Sequence, residues 1–307
     1  MKLAAEFPSV SYREGPAGVA RLAKAIETIG YDHIDIFDHV VMGFPVDNRE
    51  ASPYPATMPI LEALTALSYI AAVTSTIGLG TEVLVLPQRQ PVLVAKQVST
   101  LDMLSGGRVR LGVGVGWQAS EFEALGEDFR NRGKRMDEAI ALMRTCWRNS
   151  RIDFNGAYYR SLAMGMEPKS PQDGNIPIWI GGHSKAAFRR VGKLGDGWLA
   201  SRVTDAESAK RDMEAIKDAA AAAGRDPESL AWQSMIAPPP RPGDTAARTF
   251  YADLDRVAKR TVALKTMGFE WAAVNATAVF QAGARSLEAL IDALGQIHER
   301  LCREVGR

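Results

Sequence analysis

The sequence has few of the residues that build disulfide frameworks or metal centres. Its 307 residues include two cysteines, Cys146 and Cys302, and four histidines. The two cysteines lie far apart, and no His-Glu-x-x-His motif or cluster of cysteine and histidine is present. We therefore expect neither a disulfide framework nor a metal site.

An excess of charge and long apolar runs are also missing. The 37 basic and 36 acidic residues leave a formal net charge of +1, which excludes the basic surface typical of nucleic-acid-binding proteins. No run of 18 apolar residues occurs, and the N-terminal segment lacks the apolar centre of a signal peptide. We expect a cytoplasmic protein whose partners are small molecules, with no membrane or nucleic acid.

Short apolar runs alternate with helix-period segments from end to end. The predicted strands are 2–6, 33–37, 77–83, 109–115, 177–181, 197–201, 230–236 and 270–275. The predicted helices are 16–30, 58–73, 91–105, 131–149, 184–195, 204–223, 246–267 and 285–303. Strict alternation of this kind favours a parallel sheet, and eight units in a chain of this length predict a single α/β domain over 1–307, a (β/α)8 TIM barrel. Long insertion loops are predicted at 38–57, 150–176 and 237–245.

One predicted strand has a face without side chains. Gly112, Gly114 and Gly116 alternate with Val113 and Val115. Because alternate residues of a strand share a face, this pattern indicates close approach of another backbone or a flat ligand, or else a tight packing layer in a barrel. A dinucleotide-binding fingerprint is excluded, since its third glycine would fall on Trp117.

Polar residues follow two of the predicted strands. Asp38 and His39 come directly after 33–37, at the barrel end where such enzymes place their sites, and an imidazole there can transfer a proton. Glu82 interrupts an apolar run at the end of 77–83. A buried unpaired carboxylate is costly, so Glu82 should lie at the wet rim or bind a ligand.

The turn Gly181-Gly182-His183-Ser184 joins an apolar strand to a helix. Its free N–H groups favour an anion such as phosphate, and Ser184 is a suitable N-cap. The turn also resembles the G-x-S-x-G nucleophile elbow of serine hydrolases, with Ala186 in the last position. That alternative needs a late histidine, and the one late histidine, His298, falls within a helical pattern.

Several segments together resemble the bacterial luciferase-like monooxygenase superfamily, particularly its oxidoreductases that use the deazaflavin coenzyme F420. The most specific segment is 106–117, Gly-Gly-Arg-Val-Arg-Leu-Gly-Val-Gly-Val-Gly-Trp. Segments 121–126, 132–138 and 177–182 add to the resemblance, which is strong over 1–200 and weaker beyond.

The resemblance implies a flat tricyclic ring at the barrel mouth. It implies a bulge behind the ring with a cis peptide bond between Glu82 and Val83, and a turn at 181–184 that holds a phosphate. The cofactor-binding residues implied are Thr81, Glu82, Val83, Val115, Gly116, Ser120, Gly181, Gly182, His183 and Ser184. Asp38 and His39 match the family's Asp-His pair near the reacting carbon and are the expected catalytic residues.

One position departs from part of this family. Its sugar-phosphate dehydrogenases have a catalytic glutamate where this chain has Trp117. Trp117 and Phe44 instead predict an apolar substrate wall. We expect hydride transfer between F420 and a small, fairly hydrophobic carbonyl or enone substrate, in a homodimer. The alternative is an FMN-dependent monooxygenase that uses dioxygen and a partner reductase.

Overall fold

The apolar runs of the sequence form the parallel strands of a closed barrel. The computed structural model describes residues 1–8, 13–47, 52, 54–201, 203–238 and 246–306. The strands are β1 (Lys2–Glu6), β2 (His33–Ile36), β3 (Gly78–Thr81), β4 (Leu84–Val85), β5 (Val109–Gly114), β6 (Ile152–Asn155), β7 (Arg160–Met164), β8 (Ile178–Gly181), β9 (Gly197–Ala200), β10 (Ala231–Met235) and β11 (Trp271–Asn275). The barrel consists of β1, β2, β3, β5, β8, β9, β10 and β11, all parallel, and pairing of β1 with β11 and of β3 with β5 closes it.

Helices connect the barrel strands and surround the barrel. They are α1 (Gly15–Ile29), α2 (Ala63–Val73), α3 (Pro91–Ser105), α4 (Ala119–Ala124), α5 (Arg132–Arg148), α6 (Lys185–Leu194), α7 (Ala206–Ala222), α8 (Leu254–Thr266), α9 (Ala276–Gln281) and α10 (Leu287–Val305). No helix among these described residues is long and apolar enough to cross a bilayer.

The predicted (β/α)8 barrel is confirmed, with differences at three places. The predicted strand 77–83 breaks after Thr81, where the chain leaves the sheet before rejoining it as β4. The predicted helix 246–267 is split into a 3-10 helix, Ala246–Ala252, and α8. The short helices α4 and α9 were not predicted, because six residues are too few to show helical periodicity.

The two faces of the barrel strands differ in polarity. Outward-facing residues such as Leu3, Ala5 and Ile34 belong to the apolar core between barrel and helices. Inward-facing residues include Asp35 and Gln233, both fully buried and hydrogen-bonded to each other. The barrel interior is therefore a polar, hydrogen-bonded layer rather than the branched aliphatic packing that fills many such barrels.

The glycine face of β5 accommodates the backbone and side chains that follow β3. A Cβ atom added at Gly112 would lie 1.8 Å from the Thr81 carbonyl oxygen, and one at Gly114 would lie 2.5 Å from Val83 Cγ2. The Thr81 hydroxyl also donates to the Gly112 carbonyl at 2.5 Å. Of the predicted explanations, close approach of another protein segment accounts for Gly112 and Gly114.

The insertion at 150–176 contains a hairpin beside the barrel. Strands β6 and β7 pair antiparallel, and the Glu138 carboxylate of α5 accepts the N–H groups of Ala157, Tyr158 and Tyr159 at its turn. The Asn155-Gly156 pair lies at the turn of this hairpin, a position where such pairs are common. Residues 48–51, 53 and 239–245 of the other two predicted loops lie outside the described residues.

Replacing Gly112 by alanine should destabilise the fold, because the new methyl group would overlap the Thr81 carbonyl. We expect the free energy of unfolding in urea to fall by at least about 1–3 kcal/mol, the usual cost of overpacking. Gly295→Ala is the matched control, since Gly295 lies within α10 with open space around its Cβ position. Alanine there should stabilise the protein by about 0.5–1 kcal/mol. Equal stability of the two variants would contradict the close-approach explanation.

Candidate active site

The bulge after β3 lies at the carboxyl end of the barrel strands. The peptide bond between Glu82 and Val83 is cis, as the family resemblance implied. Val83 then occupies the space above two glycines, with its methyl groups 2.5 Å from a Cβ added at Gly114 and 3.0 Å from one added at Gly181. The chain returns to the sheet at Leu84, opposite Val113. The Val83 side chain is therefore fixed at the mouth between β5 and β8.

Asp38 anchors the bulge rather than facing open space. Its carboxylate accepts the Val85 N–H at 3.1 Å and pairs with the Arg89 guanidinium at 2.8 Å. Arg89 also pairs with Glu62 at the start of α2. Burial raises the pKa of Asp38, and the Arg89 charge opposes that rise. These contacts are those of a residue that positions the β3 bulge.

His39 forms a buried pair with a carboxylate that lies 82 residues later. Its Nδ1 atom is 3.0 Å from Glu121 Oε2 in α4, and both side chains are buried. The other Glu121 oxygen accepts the N–H groups of Val40 and Val41 at 2.6 and 3.2 Å. Burial raises the pKa of Glu121, but these hydrogen bonds outweigh it and the net pKa is lowered. An ionised Glu121 therefore orients the imidazole and leaves Nε2 for another partner.

Aromatic rings surround this imidazole. The ring centroid of His39 lies 5.4 Å from that of Trp117 and 5.9 Å from that of Tyr54, and the Trp117 and Tyr54 rings are 6.5 Å apart. Trp117 and Tyr54 are 45% and 40% exposed, so they form an apolar wall open to solvent. Phe44 lies at the same end of the barrel and is 63% exposed.

One cation neutralises one of the carboxylates inside the barrel. Arg110 Nη2 lies 2.9 and 2.7 Å from the two Asp35 oxygens, and its guanidinium lies 4.0 Å from the Trp179 ring centre and 4.9 Å from that of Trp271. His33 Nδ1 is 3.0 Å from the same carboxylate. Although burial favours the neutral acid, Arg110 and His33 together hold the pKa of Asp35 well below its usual range.

Near this pair, the carboxyl groups of Glu6 and Glu82 form no ion pair with any described residue, because Arg110 is paired with Asp35. Gln233 Nε2 donates to Asp35 at 3.2 Å and to Glu82 Oε2 at 3.0 Å. The other Glu82 oxygen, one Glu6 oxygen and the Gln233 carbonyl are buried without a partner. Burial, together with the charge of Asp35, raises the pKa of Glu6 to about 8 and that of Glu82 well above its usual value. Glu82 is partly exposed, with one oxygen buried and the other bonded to Gln233, so the predicted choice between wet rim and ligand stays a prediction.

The turn 181–184 has the geometry predicted for it. Gly182 has a φ of 131°, a backbone conformation that favours glycine, and its carbonyl accepts the Trp198 indole N–H at 2.9 Å. Ser184 accepts the Ala187 N–H at 3.1 Å and so caps α6. His183 Nε2 lies 3.1 Å from Ser201 Oγ. Since Ser184 is an N-cap and its neighbouring histidine bonds elsewhere, the hydrolase alternative gains no geometric support.

The remaining predicted residues lie on the β5–α4 connection. Val115 and Gly116 are half-buried, and Ser120 is half-buried in the first turn of α4. A Cβ atom at Gly116 would lie 2.6 Å from Val85 Cγ1. Thr81 is fully buried with its hydroxyl on Gly112, so its side chain joins two strands and does not line the mouth.

Sequence patterns missed the partners of the predicted residues. Five residues contact a predicted site residue or complete the polar layer, but none of them was predicted as a site residue. They are Glu121, Arg89, Tyr54, Glu6 and Gln233. A signal existed for two of them. Glu6 and Gln233 fall within apolar strands, as Glu82 does, and the same desolvation argument applies to all three.

The whole chain matches one protein family. The family model described as luciferase-like monooxygenase matches residues 2–298. The chain belongs to this family. Among curated members, it is 37% identical over 188 residues to an uncharacterised protein of Mycobacterium bovis, covering 58% of this chain and 63% of that protein. It is 30% identical over 230 residues to an F420-dependent glucose-6-phosphate dehydrogenase of Nocardia farcinica, covering 73% of this chain and 65% of that enzyme.

Several solved structures share the fold of this chain. A monooxygenase from Streptomyces bottropensis superposes with a TM-score of 0.79 at 20% identity, covering 99% of this chain and 100% of that one. An F420-dependent secondary alcohol dehydrogenase, solved with an F420–acetone adduct, superposes with a TM-score of 0.76 at 17% identity and covers 98% of both chains. At these identities the likeness establishes the barrel fold. The matches to the curated relatives span a little under two thirds of the relatives' own length.

Proposed function

We propose that this protein is an oxidoreductase that transfers a hydride between coenzyme F420 and a small, fairly hydrophobic carbonyl compound. The observation that carries the proposal is the buried His39–Glu121 pair set against the exposed rings of Tyr54 and Trp117. The pair can move a proton at an apolar wall, which is what carbonyl reduction requires beside a hydride. Relatives named as F420-dependent dehydrogenases support this choice of cofactor.

The residues of the mouth fit a flat ring with a charged tail. Val83 presents an apolar surface between β5 and β8, and a Cβ at Gly181 would crowd it. The turn 181–184 opens α6, whose first N–H groups are suited to a phosphate. In this arrangement Val83, Val115, Gly116 and Ser120 would contact the ring, and Gly181, Gly182, His183 and Ser184 would hold the tail. The deazaflavin supplies the hydride when bound.

The chain's own residues would position the substrate and move its proton. Reduction of a carbonyl to an alcohol consumes one hydride and one proton. His39 Nε2 would give the proton to the carbonyl oxygen, and the Glu121 carboxylate would stabilise the imidazolium that precedes transfer. Trp117 and Tyr54 would exclude water from the reacting carbon. Asp38 would keep the bulge in place through Val85 and Arg89.

Titration of the purified protein with F420 and with FMN, following ring fluorescence, tests the cofactor. We expect F420 to bind at least tenfold more tightly than FMN. Gly181→Val should weaken F420 binding, since a larger side chain would push against Val83. Gly295→Ala is a control within α10, with open space around its Cβ position. Tighter binding of FMN would overturn the proposal in favour of a monooxygenase that needs dioxygen and a reductase.

His39→Ala should lower kcat for ketone reduction by about 10²–10⁴-fold, the usual contribution of a general acid. F420 affinity should change little. Glu121→Gln should give a smaller loss of kcat, because an amide can still hold the imidazole but does not stabilise the imidazolium. His298→Ala is the control, since His298 lies in α10 and packs on Tyr31, away from the site residues. Unchanged kcat in His39→Ala would remove His39 from the proton transfer.

We also propose that the protein is a homodimer joined through α3. Leu93 and Leu104 are 57% and 72% exposed and eleven positions apart, which places them on one face of this helix. Met103 beside them is 48% exposed. Light scattering at micromolar concentration should give twice the 33.3 kDa mass of the chain, and Leu93→Glu with Leu104→Glu should give a monomer. A monomeric parent protein would refute this.

A further inference from the structure

The interior of the barrel contains more acidic groups than its cations can neutralise. Asp35, Glu82 and Glu6 lie on β2, on the bulge and on β1, and Arg110 is the cation that contacts this layer. Arg110 directs Nη2 to both oxygens of Asp35. Its other terminal nitrogen, Nη1, is buried without a hydrogen-bond partner and so bonds to neither glutamate. The two glutamates are therefore left without a paired cation.

Three buried oxygens in this layer lack a donor. They are Glu6 Oε2, Glu82 Oε1 and Gln233 Oε1. Gln233 is fully buried, and its amide orientation is fixed because its nitrogen donates to Asp35 and to Glu82. Leaving three buried acceptors unpaired would destabilise the fold, because each would lose its hydrogen bonds to water without a replacement. A proton on each glutamate would turn two of these acceptors into donors and leave one buried acceptor, Gln233 Oε1, which contacts Glu82 through its own amide.

We propose that Glu6 and Glu82 form a buried proton-binding site beneath the barrel mouth, un-ionised at neutral pH, and that Glu82 exchanges its proton with the ring bound above. Glu82 directly precedes Val83, and the residue is partly exposed although its Oε1 atom is buried. It thus joins the closed interior to the mouth. The exchange part of this proposal rests on the proposed function, whereas the protonation of the pair does not.

The other groups that face the pair support its neutral state. Asp35, on β2, is ionised and repels a second negative charge, while Arg110, on β5, attracts it but is already paired with Asp35. His33 contacts Asp35, and burial lowers its pKa so that it adds no positive charge at neutral pH. Tyr251 remains un-ionised, since burial raises the pKa of its phenol. Asn275, on β11, is a hydrogen-bond partner of Glu6.

Infrared spectroscopy of the purified protein without cofactor tests the protonation directly. The C=O stretching band of un-ionised carboxyl groups should be present at pH 7 and should decline as the pH passes about 8, where Glu6 ionises. Glu6→Gln and Glu82→Gln should each remove part of the band. Glu214→Gln, an exposed residue of α7, is the matched control and should leave the band unchanged. Absence of the band from the parent protein at pH 7 would overturn the proposal even if both variants fail to fold.

The pH dependence of unfolding gives a second readout. A carboxyl group whose pKa is raised on folding binds a proton in the folded state that the unfolded chain has lost. Its stabilising contribution is complete below pH 4.5, the ordinary value for glutamate, and is lost as the pH rises to about 8. The denaturation midpoint of the parent should therefore fall over this range, and that of Glu6→Gln should fall less. Equal slopes would count against the pair.

Calorimetry of F420 binding in two buffers with different heats of ionisation tests the exchange. The binding heat should depend on the buffer in the parent protein, because protons are taken up or released, and should lose that dependence in Glu82→Gln. Buffer-independent binding in the parent would refute the exchange while leaving the protonated pair intact. If F420 does not bind at all, the proposed function fails, and the infrared band still decides whether Glu6 and Glu82 are protonated.

Discussion

The pairing of Arg110 with Asp35 is the contact on which the rest of the barrel interior depends. A buried guanidinium is tolerated because it meets both oxygens of one carboxylate and the faces of two tryptophans. Because Arg110 pairs with Asp35, the carboxyl groups nearer the mouth have no cation paired with them. The interior thus holds an ionised carboxylate, Asp35, beside the un-ionised Glu82, and Gln233 donates one hydrogen bond to each.

The glycines of β5 leave room for the bulge after β3, and the bulge shapes the mouth where the candidate site lies. At Gly112 and Gly114 the missing side chains are replaced by the Thr81 carbonyl and by Val83. Asp38 holds the far end of the bulge through Val85. Three segments that are distant in sequence therefore shape the mouth. They can approach one another closely because one strand lacks Cβ atoms at these positions. A ring bound at the mouth would rest on Val83 and not on the glycines themselves.

The sequence predicted the helices and strands of the fold because the spacing of apolar residues and the alternation of strands with helices can be read from short stretches of sequence. It also predicted where His39, Glu82 and the turn 181–184 would lie, since the ends of parallel barrel strands share one edge. The pairing of His39 with Glu121 could not be predicted, because it depends on how the short helix α4 folds back over the loop after β2. The contacts of Asp38 with Arg89 and Val85 could not be predicted either, since they depend on how the chain rejoins the sheet after the bulge, and its expected catalytic role stays a prediction.

Two carboxyl groups near the bulge, those of Glu121 and Glu82, have opposite protonation states. Glu121 accepts hydrogen bonds from His39 and two backbone N–H groups, which hold it ionised although it is buried. Glu82 accepts one hydrogen bond from a neutral amide and lies near the negative charge of Asp35, which holds it protonated. Environments that push the pKa values of nearby groups apart are what assign the roles of acid and base. In this barrel burial raises the pKa of both carboxyl groups, and the hydrogen bonds at Glu121 outweigh it whereas the single one at Glu82 does not.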